Sequence, residues 1–315
     1  MANRRGKVLV TGGAGFIGSH LVERLVREGL GVRVLDDFSS GRAENLAGVS
    51  SCIELISGSI LNPELLERAA EGCGCIFHLA AVVSVPRSIA EPDRVHEVNA
   101  TGTLAVIEAA KCQGARVIFS SSAAVYGACP SRIQSEGLPF SPISPYGAQK
   151  CLGEMYLQTY HRTHGLESFS LRYFNVYGPR QDAANPYSGV ISIFSHRAEK
   201  GQDLMIFGDG SQTRDYVHVD DVVAANLAAM SASDADGRAL NIGTGRPTDL
   251  NRVADTIVRL NGGRSRVRYA EARVGDILHS CAEVEAARRR LGFQATVEIE
   301  AGLESLHVPA EVRSH

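Results

Sequence analysis

In the first half of the chain, short β-branched runs alternate with segments whose apolar residues recur at helical spacing. Val8 to Val10, Val32 to Leu35, Ile76 to Leu79 and Val117 to Ser120 read as strands, each separated from the next by an amphipathic stretch. Strand and helix in alternation predict an α/β fold, a doubly wound parallel sheet with helices on both faces. After Asn175 the texture changes to Pro-, Gly- and Asn-rich loops, such as Gly178 to Gly189, and to shorter elements. That change predicts a sheet domain over 1–174 and, over 175–315, a smaller lobe with some segments returning to the first. Open sheets of this kind bind ligands outside the carboxyl ends of their strands, so the cleft between the lobes is the expected site.

The first strand leads into Gly12-Gly13-Ala14-Gly15-Phe16-Ile17-Gly18 and then into a helical pattern from Ser19 to Glu28. Strand, glycine turn and helix in that order are the signature of a Rossmann-type dinucleotide site. Gly12 permits the tight turn, Gly15 lets the backbone approach a pyrophosphate, and Gly18 allows close helix packing. The helix N-terminus adds amide donors and a positive dipole end for the phosphates. The second strand ends in Asp36-Asp37, at the spacing where an acid meets the adenosine ribose diol. A carboxylate there repels the extra phosphate of NADP, so Asp36 predicts NAD.

Composition narrows the range of partners. The 315 residues are 44% hydrophobic and 21% charged, ample for a core, and 32 basic and 35 acidic side chains are interspersed to a net −3. Such a surface lacks the one-sided basic footprint of a nucleic-acid or anionic-membrane binder, which leaves small-molecule chemistry. Cys52, Cys73, Cys75, Cys112, Cys129, Cys151 and Cys281 are an odd, scattered set that predicts neither disulfides nor a metal site. With no apolar stretch long enough to span a bilayer, a cytoplasmic location is expected.

The sharpest chemistry lies in Ser144-Pro145-Tyr146-Gly147-Ala148-Gln149-Lys150. Ser144 is a good N-cap and Pro145 fits the first helical turn, so Tyr146 and Lys150 fall four apart on one helix face. A neighbouring ammonium and a helix N-terminus both favour phenolate, which predicts a lowered tyrosine pKa suited to a general base. Upstream, Phe119-Ser120-Ser121-Ser122 places hydroxyls at a strand's carboxyl end.

Together the runs TGGAGFIG, SSSAAVYG, SPYGAQK, LRYFNVYGPRQ and, from Thr213, TRDYVHVDD resemble the extended short-chain dehydrogenases that epimerise nucleotide sugars, over nearly the whole chain. The resemblance implies that Tyr146 is the base at the sugar 4-hydroxyl and that Lys150 holds the nicotinamide ribose. It assigns Ser122 to the same hydroxyl, with Ser121 as its alternative. It implies an NAD site lined by Gly12, Gly15, Phe16, Ile17, Gly18, Asp36, Ser40, Gly41, Ser59, Ile60, Leu79, Ala80, Ala81, Asn99, Ser120 and Tyr173, beside Tyr146 and Lys150. For a UDP-sugar it implies Ser84, Val85, Asn175, Val190, Phe207, Arg214, Tyr216, Arg273, Asp276 and Ser280, beside Ser122 and Tyr146. Two arginines, Arg214 and Arg273, suit a pyrophosphate. One departure is Ser57-Gly58-Ser59-Ile60, where the family commonly carries an acid for the adenine amino group; it bears on cofactor affinity.

Within such a family the next step after oxidation at C4 separates the reactions. Dehydratases carry an Asp-Glu pair where this chain has Ala123-Ala124, and the glutamate usual in decarboxylases is absent too, which leaves epimerisation. Aligning on Arg273-Val274-Gly275-Asp276 puts Ser280 where glucose-restricted epimerases carry a tyrosine. The smaller residue leaves room for an N-acetyl group, as in bacterial UDP-N-acetylglucosamine 4-epimerases that feed surface-polysaccharide assembly. UDP-glucose turnover, a UDP-glucuronate 4-epimerase and a non-catalytic NAD sensor stay open. A homodimer is expected, by resemblance, through a four-helix bundle of the segments Asn99 to Gln113 and Tyr146 to His164; Leu104, Ile107, Met155 and Leu157 are compatible with such contacts and equally with facing the sheet.

Overall fold

In the computed structural model, described over residues 6–182, 189–272 and 277–306, the apolar run of the first strand is buried on both sides. Val8 and Val10 face one hydrophobic core and Leu9 the other, and Ile118 and Val117 divide in the same way. This double burial is what a parallel sheet demands, and it explains why the runs are continuously apolar. Seven parallel strands form the sheet: β1 (Lys7–Thr11), β2 (Val32–Asp36), β3 (Ile53–Ser57), β4 (Cys73–His78), β5 (Arg116–Ser122), β6 (Ser168–Tyr173) and β7 (Asp236–Ile242). Their order is β7-β6-β5-β4-β1-β2-β3, so the chain winds outward to β3 and then returns to β4 beside β1. The switch point between β1 and β4 opens the binding crevice.

Among the described residues the α-helices of eight or more residues are α1 (Phe16–Arg27), α2 (Pro63–Ala70), α3 (Gly102–Gln113), α4 (Pro145–His164), α5 (Val190–Glu199), α6 (Val219–Ser231) and α7 (Leu250–Leu260). Leu21, Val22 and Leu25 of α1 share a core with Val222, Val223 and Ala225 of α6. On the opposite face Leu66 of α2, Val106 and Ile107 of α3 and Leu157 of α4 close a second core. Of the four candidate dimer contacts, Ile107 and Leu157 thus pack inward against the sheet, one of the two orientations their apolar positions allow. The cap of α4 is as expected: Ser144 Oγ accepts from Gly147 N at 3.1 Å and Pro145 opens the helix.

A third core gathers Tyr177, Phe194, Leu204, Ile206, Val253 and Ile257 around short strands. Thr213–Arg214 pairs with Thr248–Asp249 and His279–Ala282, and the latter pairs with Ile133–Gln134. Tyr216–His218 pairs with Asn175–Tyr177, and Val267–Ala270 with Leu204–Phe207. Between the first two strands, Asp215 is fully buried. Its carboxylate accepts from Thr244 N at 2.8 Å, Thr244 Oγ1 at 2.7 Å, Gly245 N at 2.9 Å and Ala282 N at 3.2 Å. These bonds offset the cost of burying a charge and fix the backbone that presents Arg214 and Tyr216. Among the described residues no helix is long and apolar enough to cross a membrane.

Candidate active site

At the carboxyl ends of β1, β2 and β4 the glycine turn is shaped by two different needs. Gly12 has φ +71° and a Cβ there would lie 2.7 Å from Ala80 N, while a Cβ on Gly18 would lie 2.1 Å from Gly12 O. The fold itself requires both glycines. Gly15 has φ −75°, open to any residue, and among the described residues the nearest atom to an added Cβ is Gly12 O at 3.3 Å, a tight contact. Backbone conformation alone does not require this third glycine; the expectation it serves is close approach of a pyrophosphate at the start of α1, at Phe16 and Ile17.

Asp36 ties the turn to the next loop, its carboxylate accepting from Ala14 N and Phe38 N, each at 2.8 Å. Burial pushes its pKa up and these two N–H donors oppose the shift. Gly41 packs against it, since an added Cβ would stand 2.9 Å from Asp36 Oδ1; Ser40 beside it is exposed. At the end of β3, Ser59 Oγ accepts from Leu61 N at 3.2 Å, and Ile60 is buried. Leu79 and Ala80 are bonded to Thr11, the latter through Thr11 Oγ1 at 3.3 Å. Asn99, in a single π-helical turn, accepts from Val82 N at 2.8 Å and donates to Val82 O at 3.1 Å, which holds the segment that follows Ala81. These contacts bring the glycine turn, Asp36, Gly41, Leu79 and Ala80 together in one cradle at one edge of the sheet.

Across this cradle, β5 ends against α4. The Tyr146 hydroxyl hydrogen-bonds Ser122, whose Oγ also accepts from Ala124 N at 3.1 Å. Lys150 is buried, donates to Ser120 O at 2.6 Å, and holds its Nζ 5.7 Å from the centre of the Tyr146 ring. The two serines now separate: Ser121 Oγ points away and donates to Glu154, leaving Ser122 to face Tyr146. Tyr173 closes the floor, its hydroxyl bonded to Asn226 of α6.

The expected lowering of the tyrosine pKa is not what the geometry gives. Burial pushes Tyr146 up to about 12, opposed only by its bond to Ser122. Lys150 is pulled down to about 8 by burial, against the attraction of Glu154. Desolvation disfavours both charged forms and outweighs the helix face they share.

The predicted sugar-nucleotide residues that are described fall on several elements. Ser84 caps the helix Val85–Ala90 through its bond from Arg87 N at 3.2 Å, and Val85 is exposed. Asn175 pairs in register with Tyr216, and Arg214 with Ser280. Val190 opens α5 and Phe207 ends its short strand, both half-buried. Ser280 Oγ donates to Gln134 Oε1 at 3.2 Å. Arg273 and Asp276 lie outside the described residues.

Sequence reasoning missed the support behind the site. Glu154 follows Tyr146 and Lys150 at the same four-residue spacing, a legible signal, and pairs with buried Arg172 at 2.7 Å. Ser88, also buried, accepts from Tyr146 N at 3.2 Å and donates to Val85 O at 2.7 Å, with no motif to announce it.

Comparison with known proteins gives the same picture. Residues 8–243 match the model of the NAD dependent epimerase/dehydratase family. The chain is similar to a UDP-glucose 4-epimerase of Mycolicibacterium smegmatis, 42% identical over 302 residues that cover 94% of this chain and 96% of that protein. The fold is similar to that of a UDP-glucose 4-epimerase of Thermotoga maritima solved with UDP-glucose, at TM-score 0.89, 41% identity and coverage of 95% and 97%. It is also similar to a UDP-N-acetylglucosamine 4-epimerase of Methanobrevibacter ruminantium in complex with UDP-N-acetylmuramic acid, at TM-score 0.91, 36% identity and 96% coverage of both chains.

The glycine turn yields a prediction that separates fold from ligand. Gly15→Ala is expected to keep the melting temperature of the cofactor-stripped protein within a few degrees, yet to weaken NAD binding at least about tenfold, because the methyl group intrudes on backbone approach to the pyrophosphate. Calorimetric titration with NAD checks it; wild-type affinity would show that the open side of Gly15 does not face the cofactor.

Proposed function

The chain belongs to the NAD dependent epimerase/dehydratase family, and from that premise we propose that it inverts C4 of a UDP-hexose, preferring UDP-N-acetylglucosamine and UDP-N-acetylgalactosamine and also turning over UDP-glucose and UDP-galactose. The observation that carries this reading is the Tyr146 hydroxyl bonded to Ser122, with Lys150 one helical turn along, at the rim of the dinucleotide cradle. Bound NAD supplies a reversible hydride acceptor at C4. Ionised with the help of the neighbouring lysine charge, Tyr146 Oη would take the 4-hydroxyl proton as C4 is oxidised and would give it back to the C4 oxygen when hydride returns to the opposite face of the sugar, while Ser122 holds that oxygen in line. Lys150, donating to Ser120 O, keeps a positive charge beside Tyr146 and has further N–H donors for the nicotinamide ribose.

The neighbouring stretch argues for epimerisation over elimination. Ala123 and Ala124 form the turn after Ser122, and Ala124 O would stand 2.7 Å from a Cβ on Gly147, so this stretch borders Tyr146 without offering a carboxylate. Arg214 and Arg273 are proposed for the diphosphate, with Asn175 and Tyr216 nearby. Ser280 is proposed for the wall of the C2 pocket, where it adds no bulk. A second copy of the chain is proposed to pack on α3 and α4, where Met155 is 53% exposed and Leu104 half-buried.

Three outcomes test these assignments. Tyr146→Phe is expected to keep the fold and NAD but to lose about 10² to 10⁴ in turnover of UDP-GlcNAc and UDP-Glc, followed by chromatography of the products. Near-normal rates would remove Tyr146 as the base. Ser280→Tyr adds a ring where the acetamido group is proposed to sit, which typically costs about 1 to 3 kcal/mol in a closed site. The ratio of kcat/KM for UDP-GlcNAc over UDP-Glc should therefore fall about tenfold or more, and an unchanged ratio would refute the role. For the assembly, light scattering at micromolar concentration should give twice the mass of the 33.7 kDa chain, and a monomer would count against the α3/α4 face.

A further inference from the structure

We infer that Phe119 and Gly153 are positioning residues for Lys150: the phenyl ring is the seat on which the buried ammonium rests, and the missing Cβ of Gly153 lets the ring lie there. The inference deepens the proposed function and rests on its reading of Lys150. Lys150 Nζ stands 4.9 Å from the centre of the Phe119 ring, within cation–π range, while it donates to Ser120 O on the next residue of β5. The ring is almost wholly buried, and it is held from three sides.

From α4, Gly153 sits one turn beyond Lys150, inside the helix, where glycine weakens helical structure relative to alanine. A Cβ at that position would lie 2.6 Å from Phe119 Cζ and 2.7 Å from Cε1, so any other residue displaces the ring. From β4, His78 stacks on Phe119 with centroids 5.6 Å apart and planes inclined by 27°. The third support is Lys150 itself, above the ring.

His78 is held in one tautomer. Thr103 Oγ1 donates its proton to Asn99 O at 2.7 Å, so at 2.9 Å it accepts from His78 Nε2, which leaves Nδ1 to accept from Thr11 Oγ1 at 2.8 Å. Burial lowers the pKa of His78 to about 3, with the Lys150 charge acting in the same direction. A neutral, clamped imidazole gives the phenyl ring a rigid backing and adds no second cation beneath the first. Besides His78, the ionisable groups around Lys150 on the packed elements are Tyr146 and Glu154 of α4 and Arg172 and Tyr173 of β6. Arg172 is paired with Glu154, whose carboxylate also favours the lysine charge.

Removing the ring withdraws a group that favours the charged lysine, so the ammonium is lost at lower pH as pH rises. In Phe119→Leu the alkaline limb of the kcat–pH profile, measured with the UDP-hexose turned over fastest, should move down by about one pH unit. Gly153→Ala, which pushes the ring off the lysine, should lower kcat at least about tenfold and move the limb the same way. The two changes act on one contact, so the double variant should be no worse than Phe119→Leu alone, its smaller side chain making room for the new methyl. A limb unmoved in both single variants, with turnover reduced equally at every pH, would overturn the inference, as would additive losses in the double variant. Lys150→Met tests the underlying reading separately: if it is inactive while the limb stays fixed in Phe119→Leu, only the seat is wrong, and if it is active the role of Lys150 itself falls.

Discussion

The site depends first on one buried ion pair. Arg172 and Glu154 are 3% and 0% exposed, and Arg172 meets the carboxylate through Nε at 3.0 Å and Nη2 at 2.7 Å. Pairs this deep add little net stability over an apolar substitute, but losing one partner strands a charge at a cost of about 3 to 5 kcal/mol. What the pair contributes is placement. It joins α4, which carries Tyr146 and Lys150, to β6, which ends in Tyr173, and it takes the hydroxyl of Ser121 from β5. Arg172 Nη1 also donates to Tyr126 Oη at 2.8 Å, which donates to Asn241 Oδ1 at 2.6 Å, and Asn241 Nδ2 donates to Gln134 O at 2.8 Å. Gln134 then accepts from Ser280. A single chain of satisfied polar groups runs from the helix of Tyr146 to the wall proposed for the C2 substituent.

The same burial that makes the pair rigid sets the electrostatic problem of the site. Tyr146 at about 12 and Lys150 at about 8 are both displaced toward their neutral forms. A tyrosine so displaced works as a base only if positive charge is held close while the proton moves. Glu154, the Phe119 ring and Ser120 O all favour the lysine cation. The groups around Lys150 therefore oppose the desolvation that acts on it, and in the proposed role of Tyr146 the charge it needs is kept by packing and not by exposure to water.

Much of this was legible in the sequence, and the exceptions share a cause. Four strands were marked by β-branched runs because both of their faces are apolar. β6 escaped notice because Ser168, Ser170 and Arg172 alternate with its apolar residues and are nevertheless buried, and β3 because it is an edge strand with Leu55 45% exposed. The glycine turn and the N-cap of α4 follow from local rules of spacing and capping, whereas the pairing of Tyr146 with Ser122 is implied by the family resemblance. The direction of the tyrosine pKa follows from neither, since adjacency on a helix is local whereas desolvation depends on everything that folds over the pair. For Ile107 and Leu157 the sequence leaves both the sheet and a partner open for a related reason, since periodicity identifies the apolar positions of a helix but not which of two available surfaces they meet.

Ser280 shows how far a pocket wall can discriminate. In the proposed role its hydroxyl is spent on Gln134, so toward the sugar it offers space more than a hydrogen bond. Sites that hydrogen-bond a substituent reject analogues lacking it by about 10⁴ to 10⁵, because their own polar groups are left unpaired, whereas sites that only leave room discriminate by about 10 to 200-fold. A wall of the second kind admits an acetamido group without penalising a hydroxyl in its place. Preference for the N-acetylated sugars then has to come from contacts the acetamido group makes elsewhere, and turnover of UDP-glucose beside UDP-GlcNAc is the natural consequence of a small residue whose one polar group is already committed.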